Sequence, residues 1–594
     1  MKHSLSRAVV SLAIAALLLA SGPSGGGETV AAAGPANPWG LTLVRFAPGT
    51  PPDQMQSAVV QAGGEVVTDL SALGALSVLP KQKNFASRVK ADRRVRAAWA
   101  EKVSVQVPRT DSAAQDAGLT GKNAPELGSP GPEGPPDPWH NLTSFLGETN
   151  PEGILQWDDN RMNVPSAWRT TTGNRTVRVA VLDTGVQGSH KELLPNYDNQ
   201  TSANTIPCNL LTRQFGPLGE KDCSSEDTSG HGTWVASRIA GAANGFASNG
   251  IAPNVQIIGY KVLSTPLGGG LTSWIVAAMI DACSHNVDLI NMSLGGYDDP
   301  SVAADQDDYL LWVDAVDYCR AHGTAIFASA GNSHVRLNRV NMVIGGRSLV
   351  GVGQVDRGDE GIASIIPGTP FADADLRGFL EVPAGVPGVV MVSATNNAIG
   401  PAGPDVPAGL RWPAQFTGKR DQLTYYSSYG ARIDLAAPGG ARKFNIPRSD
   451  GGPGDILYGG WGTLGALDGS GEICTDPALA SLLTFACFKV TGAGFGWLQG
   501  TSMSSPNATG VAALTLAAHP ELQGNPDALL ARLKATARKD MTNYMGPNDP
   551  TSTAPSYAGV PCPTAFCHVD FGHPVAFDDA YGAGIVDAGA AVMR

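Results

Sequence analysis

Three short segments, far apart in the chain, carry side chains that could act together on a carbonyl group. VAVLDTGV ends an apolar run in Asp183, GHGTWVAS sets His231 between two glycines, and QGTSMSSPNATG holds Ser502 directly after Gly500 and Thr501. A serine hydroxyl is a weak nucleophile until an imidazole takes its proton, and a carboxylate behind the ring orients it and stabilises its cation. Each residue alone has a plainer use. Asp183 could close a turn, His231 could fill a helix entry, and a Ser before an apolar helix commonly caps free N–H groups. Ser504 and Ser505 suit that capping use, because Pro506 favours an early helical position. Ser502 has a different setting: Gly500 lets the backbone pass close to a ligand, and a helix start favours developing negative charge.

A scaffold must bring these side chains together. TVRVAVLD, VQIIGYKVL, VDLINMSL and TAIFASAGN are apolar on both faces, and they alternate with GTWVASRIAGAA, SWIVAAMIDACSH and LLWVDAVDYCRAHG. Strands without polar alternation are buried on both sides, and strand-helix-strand order implies a mainly parallel sheet with helices on both faces, an α/β doubly wound fold. Ligands of such sheets bind beyond the carboxyl ends of the strands. Asp183, and Asn332 in ASAGNS, stand at such ends.

The chain order Asp, His, Ser is that of subtilisin and differs from the chymotrypsin and α/β-hydrolase orders. With the three segments above, it makes the chain resemble the subtilase family of serine peptidases over roughly 155–592, with insertions; MNVPSAW, YSSYGARIDLAAPG and YGAGIVDAGAAV add to the match. The resemblance implies a secreted serine endopeptidase in which Asp183, His231 and Ser502 are catalytic and Asn332, with the Ser502 N–H, faces the oxyanion. It also implies that Ser293, Leu294, Gly295 and Gly296 pair with extended substrate, opposite Gly268, Gly269 and Gly270. A processing peptidase of narrow specificity and an inactive peptide-binding scaffold are the other readings. Catalysis needs no cofactor in this family. Structural calcium is possible, with Glu192 where many relatives carry an Asp ligand and Asn244 in the corresponding loop. Ser237, Ser504, Asn507 and Thr509 depart from the usual pattern, and tighter packing around the two helices could shift His231. The segments 345–388 and 442–499 do not align, so the floor of the specificity pocket is not read.

Residues 1–33 read as a signal peptide and small-residue spacer, with Lys2 and Arg7 before an apolar run too short to span a bilayer. Residues 34–108 alternate short strands and amphipathic segments as a small α+β unit. It resembles the family's ferredoxin-like inhibitory prodomain, which implies a zymogen with an intramolecular inhibitor. A Gly/Pro-rich linker, 109–153, leads to the peptidase domain, 154–594. The net charge of −12, without a long basic run, leaves nucleic acid no electrostatic footing. Peptides or proteins are the expected substrates, with no membrane partner after signal removal and a monomeric state. Eight Cys fit export to an oxidising compartment. Sequence proximity suggests Cys208 with Cys223, Cys474 with Cys487 and Cys562 with Cys567, leaving Cys283 and Cys319 on neighbouring helices.

Overall fold

Near the amino end, β1 (Thr42–Phe46), α1 (Pro52–Ala62), β2 (Gly64–Leu70), β3 (Ala75–Pro80), α2 (Phe85–Lys90) and β4 (Val95–Ala100) form one unit. Its antiparallel sheet has the order β2-β3-β1-β4, the ferredoxin-like arrangement. Pro52 in the first turn starts α1, and Gly63, at φ 87°, ends it in the left-handed region. Met55, Ala58, Val59 and Ala62 recur at helical spacing and pack with Phe85 and Val89 over Val44, Leu76 and Val78. FASRVKADRRVRAAW reads as one amphipathic segment, but only Phe85–Lys90 is helical. Asp92 then accepts the Arg94 N–H in a tight turn, and the chain from Val95 pairs with β1.

The computed structural model describes residues 37–106, 126–127, 156–357 (except 245), 375–397, 420–440 (except 425), 462–467, 487–490, 492–541 and 575–593. After β5 (Val103–Gln106) come β6 (Arg178–Asp183), β7 (Ala203–Asn204), α3 (His231–Ala240), β8 (Gln256–Lys261), β9 (Gly269–Leu271), α4 (Thr272–Ser284), β10 (Leu289–Met292), β11 (Gly296–Asp298), α5 (Ala303–Ala321) and β12 (Ala325–Ser329). Next are β13 (Leu337–Ile344), β14 (Arg347–Val355), β15 (Leu380–Val382), β16 (Val389–Asn397), β17 (Arg420–Leu423), β18 (Leu435–Pro438), β19 (Thr463–Ala466), β20 (Cys487–Val490), β21 (Ala493–Leu498), α6 (Thr501–Ala518) and α7 (Pro526–Thr536).

The main sheet runs β17-β16-β12-β10-β6-β8-β7, with β18 also on β16. Only β17 runs antiparallel to its neighbour. Val179 and Val181 of β6 turn to a core with Trp234, Val235 and Ile239 of α3 and Val511, Ala512 and Leu514 of α6. The helices α4 and α5 are joined by the Cys283–Cys319 disulfide, and Cys208–Cys223 braces two short helices, Cys208–Phe215 and Pro217–Lys221, before α3. Cys474, Cys562 and Cys567 lie outside the described residues. A second, antiparallel sheet, β11-β15-β14-β13, grows from the segment after Gly295, and β19, β21 and β20 form a third.

Candidate active site

Asp183 is the last residue of β6 and His231 the first of α3, so strand and helix ends meet. Asp183 Oδ1 lies 2.7 Å from His231 Nδ1, and both side chains are fully buried. The Thr184 N–H donates to the same carboxylate oxygen at 2.7 Å. Close approach requires glycine at 232: a Cβ there would stand 2.1 Å from the Gly185 carbonyl oxygen and 3.0 Å from the Asp183 Cβ. Asp227 fixes the helix entry. Its carboxylate accepts from the N–H groups of Ser229, Gly230 and Thr233 and from the hydroxyls of Thr184 and Thr233. Burial pushes the Asp227 carboxyl up, against the pull of Lys261 and of these N–H donors. One aspartate thereby clamps both the turn after Asp183 and the start of α3. The sequence reading missed it, although an Asp accepting N–H groups two and three residues on is an Asx-turn pattern.

Ser502 is the second residue of α6, which starts after Gly500 at φ 147°. Its Oγ donates to the Ser293 carbonyl at 3.3 Å, and Ser293 Oγ donates to the Ser502 carbonyl at 2.8 Å. Among the described residues, His231 Nε2 is buried without a hydrogen-bond partner. The serine therefore serves Ser293 here and not the imidazole; such bonds are often unmade before substrate binds. Ser504 and Ser505 do not cap the helix as expected. Because α6 begins at Thr501, both lie inside it, where Ser504 Oγ donates back to the Thr501 carbonyl at 2.9 Å and Ser505 Oγ to Asn291 Oδ1 at 2.8 Å.

Asn332 follows β12. Its Oδ1 accepts from both the N–H and the hydroxyl of Thr501, each at 2.8 Å. A Cβ placed on Gly500 would stand 3.5 Å from Asn332 Nδ2 and 3.6 Å from the Ser502 nitrogen, so both donor nitrogens border Gly500. Of the expected peptide-binding glycines, Gly269 and Gly270 lie in β9 and pair antiparallel with Gln106 and Val105 of β5. Gly268, at φ 73°, turns the chain into that strand. On the other side of β5, a Cβ on Gly296 would stand 1.9 Å from the Ser104 carbonyl oxygen. An extended strand of the chain itself thus lies between the two segments expected to hold extended peptide.

The departures from the family pattern leave the Asp183–His231 contact intact. Ser237 Oγ donates to the Trp234 carbonyl at 2.8 Å and accepts the Ala466 N–H at 2.9 Å, tying α3 to β19. Asn507 donates to the Pro438 carbonyl at 2.9 Å, and Thr509 to Asn291 Oδ1 at 3.0 Å. Calcium takes six to eight converging oxygens, and Glu192 and Asn244 supply at most part of such a set: Glu192 Oε2 is buried without a hydrogen-bond partner among the described residues. Glu192 Oε1 faces amide donors, the N–H groups of Ala247 and Ser248, while Asn244 Oδ1 is taken by the Phe246 N–H. Burial pushes the Glu192 carboxyl up to about 8. Among the described residues no three His, Cys, Asp or Glu side chains converge as a metal site.

Residues 174–582 match the model of the subtilase family. Subtilisin amylosacchariticus of Bacillus subtilis subsp. amylosacchariticus is 24% identical over 380 residues, and the chain spans 64% of that relative's length, as the match spans 64% of the chain. The epidermin leader peptide-processing serine protease of Staphylococcus epidermidis is 28% identical over 202 residues, 33% of this chain and 42% of that one. The crystal structure of an epidermin leader peptide processing serine protease from Staphylococcus aureus shares the fold, with a TM-score of 0.56 at 16% identity over 93% of this chain and 97% of that one.

Proposed function

The chain belongs to the subtilase family, and from that premise we propose that it is an exported serine endopeptidase made as a zymogen. The buried Asp183–His231 contact, with Ser502 at the start of α6, is the observation that carries the reading. Ser502 Oγ rotates from the Ser293 carbonyl toward His231 Nε2, gives up its proton there and attacks the scissile carbonyl carbon. Asn332 Nδ2 and the Ser502 N–H receive the oxyanion. His231 then returns the proton to the departing amine, and water hydrolyses the acyl-enzyme by the same steps. Asp183 holds the ring and stabilises its cation.

Residues 34–108 act as the inhibitory prodomain. The seating of β5 between Gly269–Gly270 and Gly296 supports this, because a bound strand there excludes substrate. The relative that processes an epidermin leader peptide favours a second reading, a processing peptidase of narrow specificity. Broad cleavage of unfolded casein argues for the first reading, and hydrolysis confined to one motif for the second.

A fluorophosphonate probe tests the mechanism. Matured protein should be labelled in one-to-one stoichiometry and Ser502→Ala not at all. Absence of labelling in correctly matured parent would leave an inactive peptide-binding scaffold.

A further inference from the structure

Behind the segment Ser293–Gly296 lies a carboxyl group that neither the triad nor an ion pair uses. Glu381 is the central residue of β15 and stands opposite Tyr297 of β11 in register, so the two side chains share a face of the small sheet. It is only 1% exposed. Its Oε2 accepts the Gly385 N–H, while Oε1 has no hydrogen-bond partner. That free oxygen sits against the peptide-binding segment: a Cβ on Gly295 would be 3.1 Å from it.

The opposite flank meets Tyr297, the cross-strand neighbour of Glu381, together with Ser428. A Cβ on Gly331, the neighbour of Asn332, would be 3.6 Å from the Tyr297 hydroxyl. Ser329 Oγ donates to the Leu294 carbonyl at 3.5 Å and ties the two flanks together. Gly295 and Gly331 are both partly exposed and carry no side chain of their own, so at Gly295 only backbone separates the surface from Glu381 Oε1. The nearby cation, Arg432, is already engaged, by Asp434 at 2.6 Å and by the carbonyls of Ala384, Val386 and Val389.

We propose that Glu381 sets the specificity for the side chain immediately before the scissile bond, and that it selects a cation there, Lys or Arg. This rests on the peptidase reading above and names its substrate class. Desolvation holds the Glu381 carboxyl well above the ordinary carboxylate range, against the Gly385 N–H and Arg432, with Asp298 adding to the rise. A guanidinium or ammonium arriving beside Oε1 supplies both the missing hydrogen-bond donor and the compensating charge. An apolar side chain leaves the oxygen unsatisfied, which is a costly state for a buried polar atom. A bracing role for Glu381 would need only Oε2, and Glu381→Gln keeps an acceptor for Gly385 while removing the charge.

The test uses matured protein and peptides identical except for the residue before the cut: Arg, Lys, Met, Leu, Phe or Glu. The expected kcat/KM for Arg and Lys exceeds that for Leu by about 10²-fold, and Glu381→Gln lowers the Arg-to-Leu ratio by about the same factor. Highest turnover with Leu, Met or Phe overturns the proposal from the parent profile alone, whether or not the variant folds. An unchanged ratio in folded Glu381→Gln overturns it as well. Fluorophosphonate labelling of the same samples separates the two levels. Labelled protein without a cationic preference sinks this inference only, whereas unlabelled protein that cleaves no peptide sinks the peptidase reading with it.

Discussion

Asn332 is held by one end of its amide and free to act with the other. Thr501 fixes Oδ1 through two donors at 2.8 Å, which leaves Nδ2 near Gly500, the residue before the Thr501–Ser502 turn. A donor placed for an oxyanion stabilises charge that exists only in the transition state, so its loss should appear in kcat. Asn332→Ala should lower kcat by about 10²–10³-fold with KM changed only a few-fold. Steady-state kinetics on one peptide check this, and a loss carried by KM would reassign Asn332 to substrate binding. Asp183, His231, Ser502 and Asn332 could be put forward from the sequence because each stands near a glycine that announces a close approach. Asp227 and Glu381 could not. The role of Asp227 depends on which N–H groups fold onto it, and Glu381 lies in 345–388, where no neighbouring motif sets a frame.

The helices α3 and α6 carry His231 and Ser502, and a buried polar cluster links the two. Arg238 of α3 pairs with Asp158 at 2.7 Å and Asp159 at 2.6 Å, donates to the Asn249 carbonyl at 3.1 Å and meets Asn507 of α6 at 3.3 Å. Arg238 and Asp158 are fully buried and Asp159 nearly so, which makes the cluster sensitive to the loss of one member. Arg238→Ala strands two buried carboxyl groups against each other and should cost roughly 3–5 kcal/mol of stability. Arg238→Lys should recover only part, since an ammonium cannot span the two carboxylates and Asn507 with a planar fork. Denaturant unfolding of the matured protein measures both; full stability in Arg238→Ala would show that packing alone spaces the helices. The four central strands β6, β8, β10 and β12 were legible because two-sided burial makes them continuously apolar, whereas β7, with the sequence AN, and β17, with RDQL, carry no such signal. The β13–β15 hairpin and strand were not legible: β13 alternates buried ends with exposed Arg339, Asn341 and Val343, a pattern without a partner visible in sequence.

At the scale of the whole molecule, the proposed prodomain is held by acids and one base at the junction of β4 and β5. Glu101 Oε1 accepts the Ser273 N–H at 2.9 Å and its Oε2 the Ser77 hydroxyl at 2.8 Å. Lys102 pairs with Asp298 at 3.0 Å and Asp305 at 2.7 Å, while Asp308 accepts from Thr272 at 2.7 Å and from Trp99 at 3.3 Å. Burial pushes the Glu101 carboxyl up to about 7, with Asp308 adding to the rise, and burial likewise raises Asp298 and Asp308. Released into water, Glu101 returns to its ordinary value near 4.5. Below that pH both states carry the proton and docking is at full strength. Between 4.5 and 7 the released form has lost the proton that the docked form keeps, so docking weakens by up to about tenfold per pH unit from this group. Above 7 both are ionised and the loss is complete. Cleaved but undissociated protein should therefore retain its prosegment through size-exclusion at mildly acidic pH and shed it as the pH rises. Glu101→Gln, neutral throughout, should shift shedding to higher pH. Retention that is independent of pH, or stronger in alkali, would mean that Glu101 contributes nothing to docking and that β5 pairing, apolar contact and the Arg45–Asp314 pair hold the prosegment in the groove.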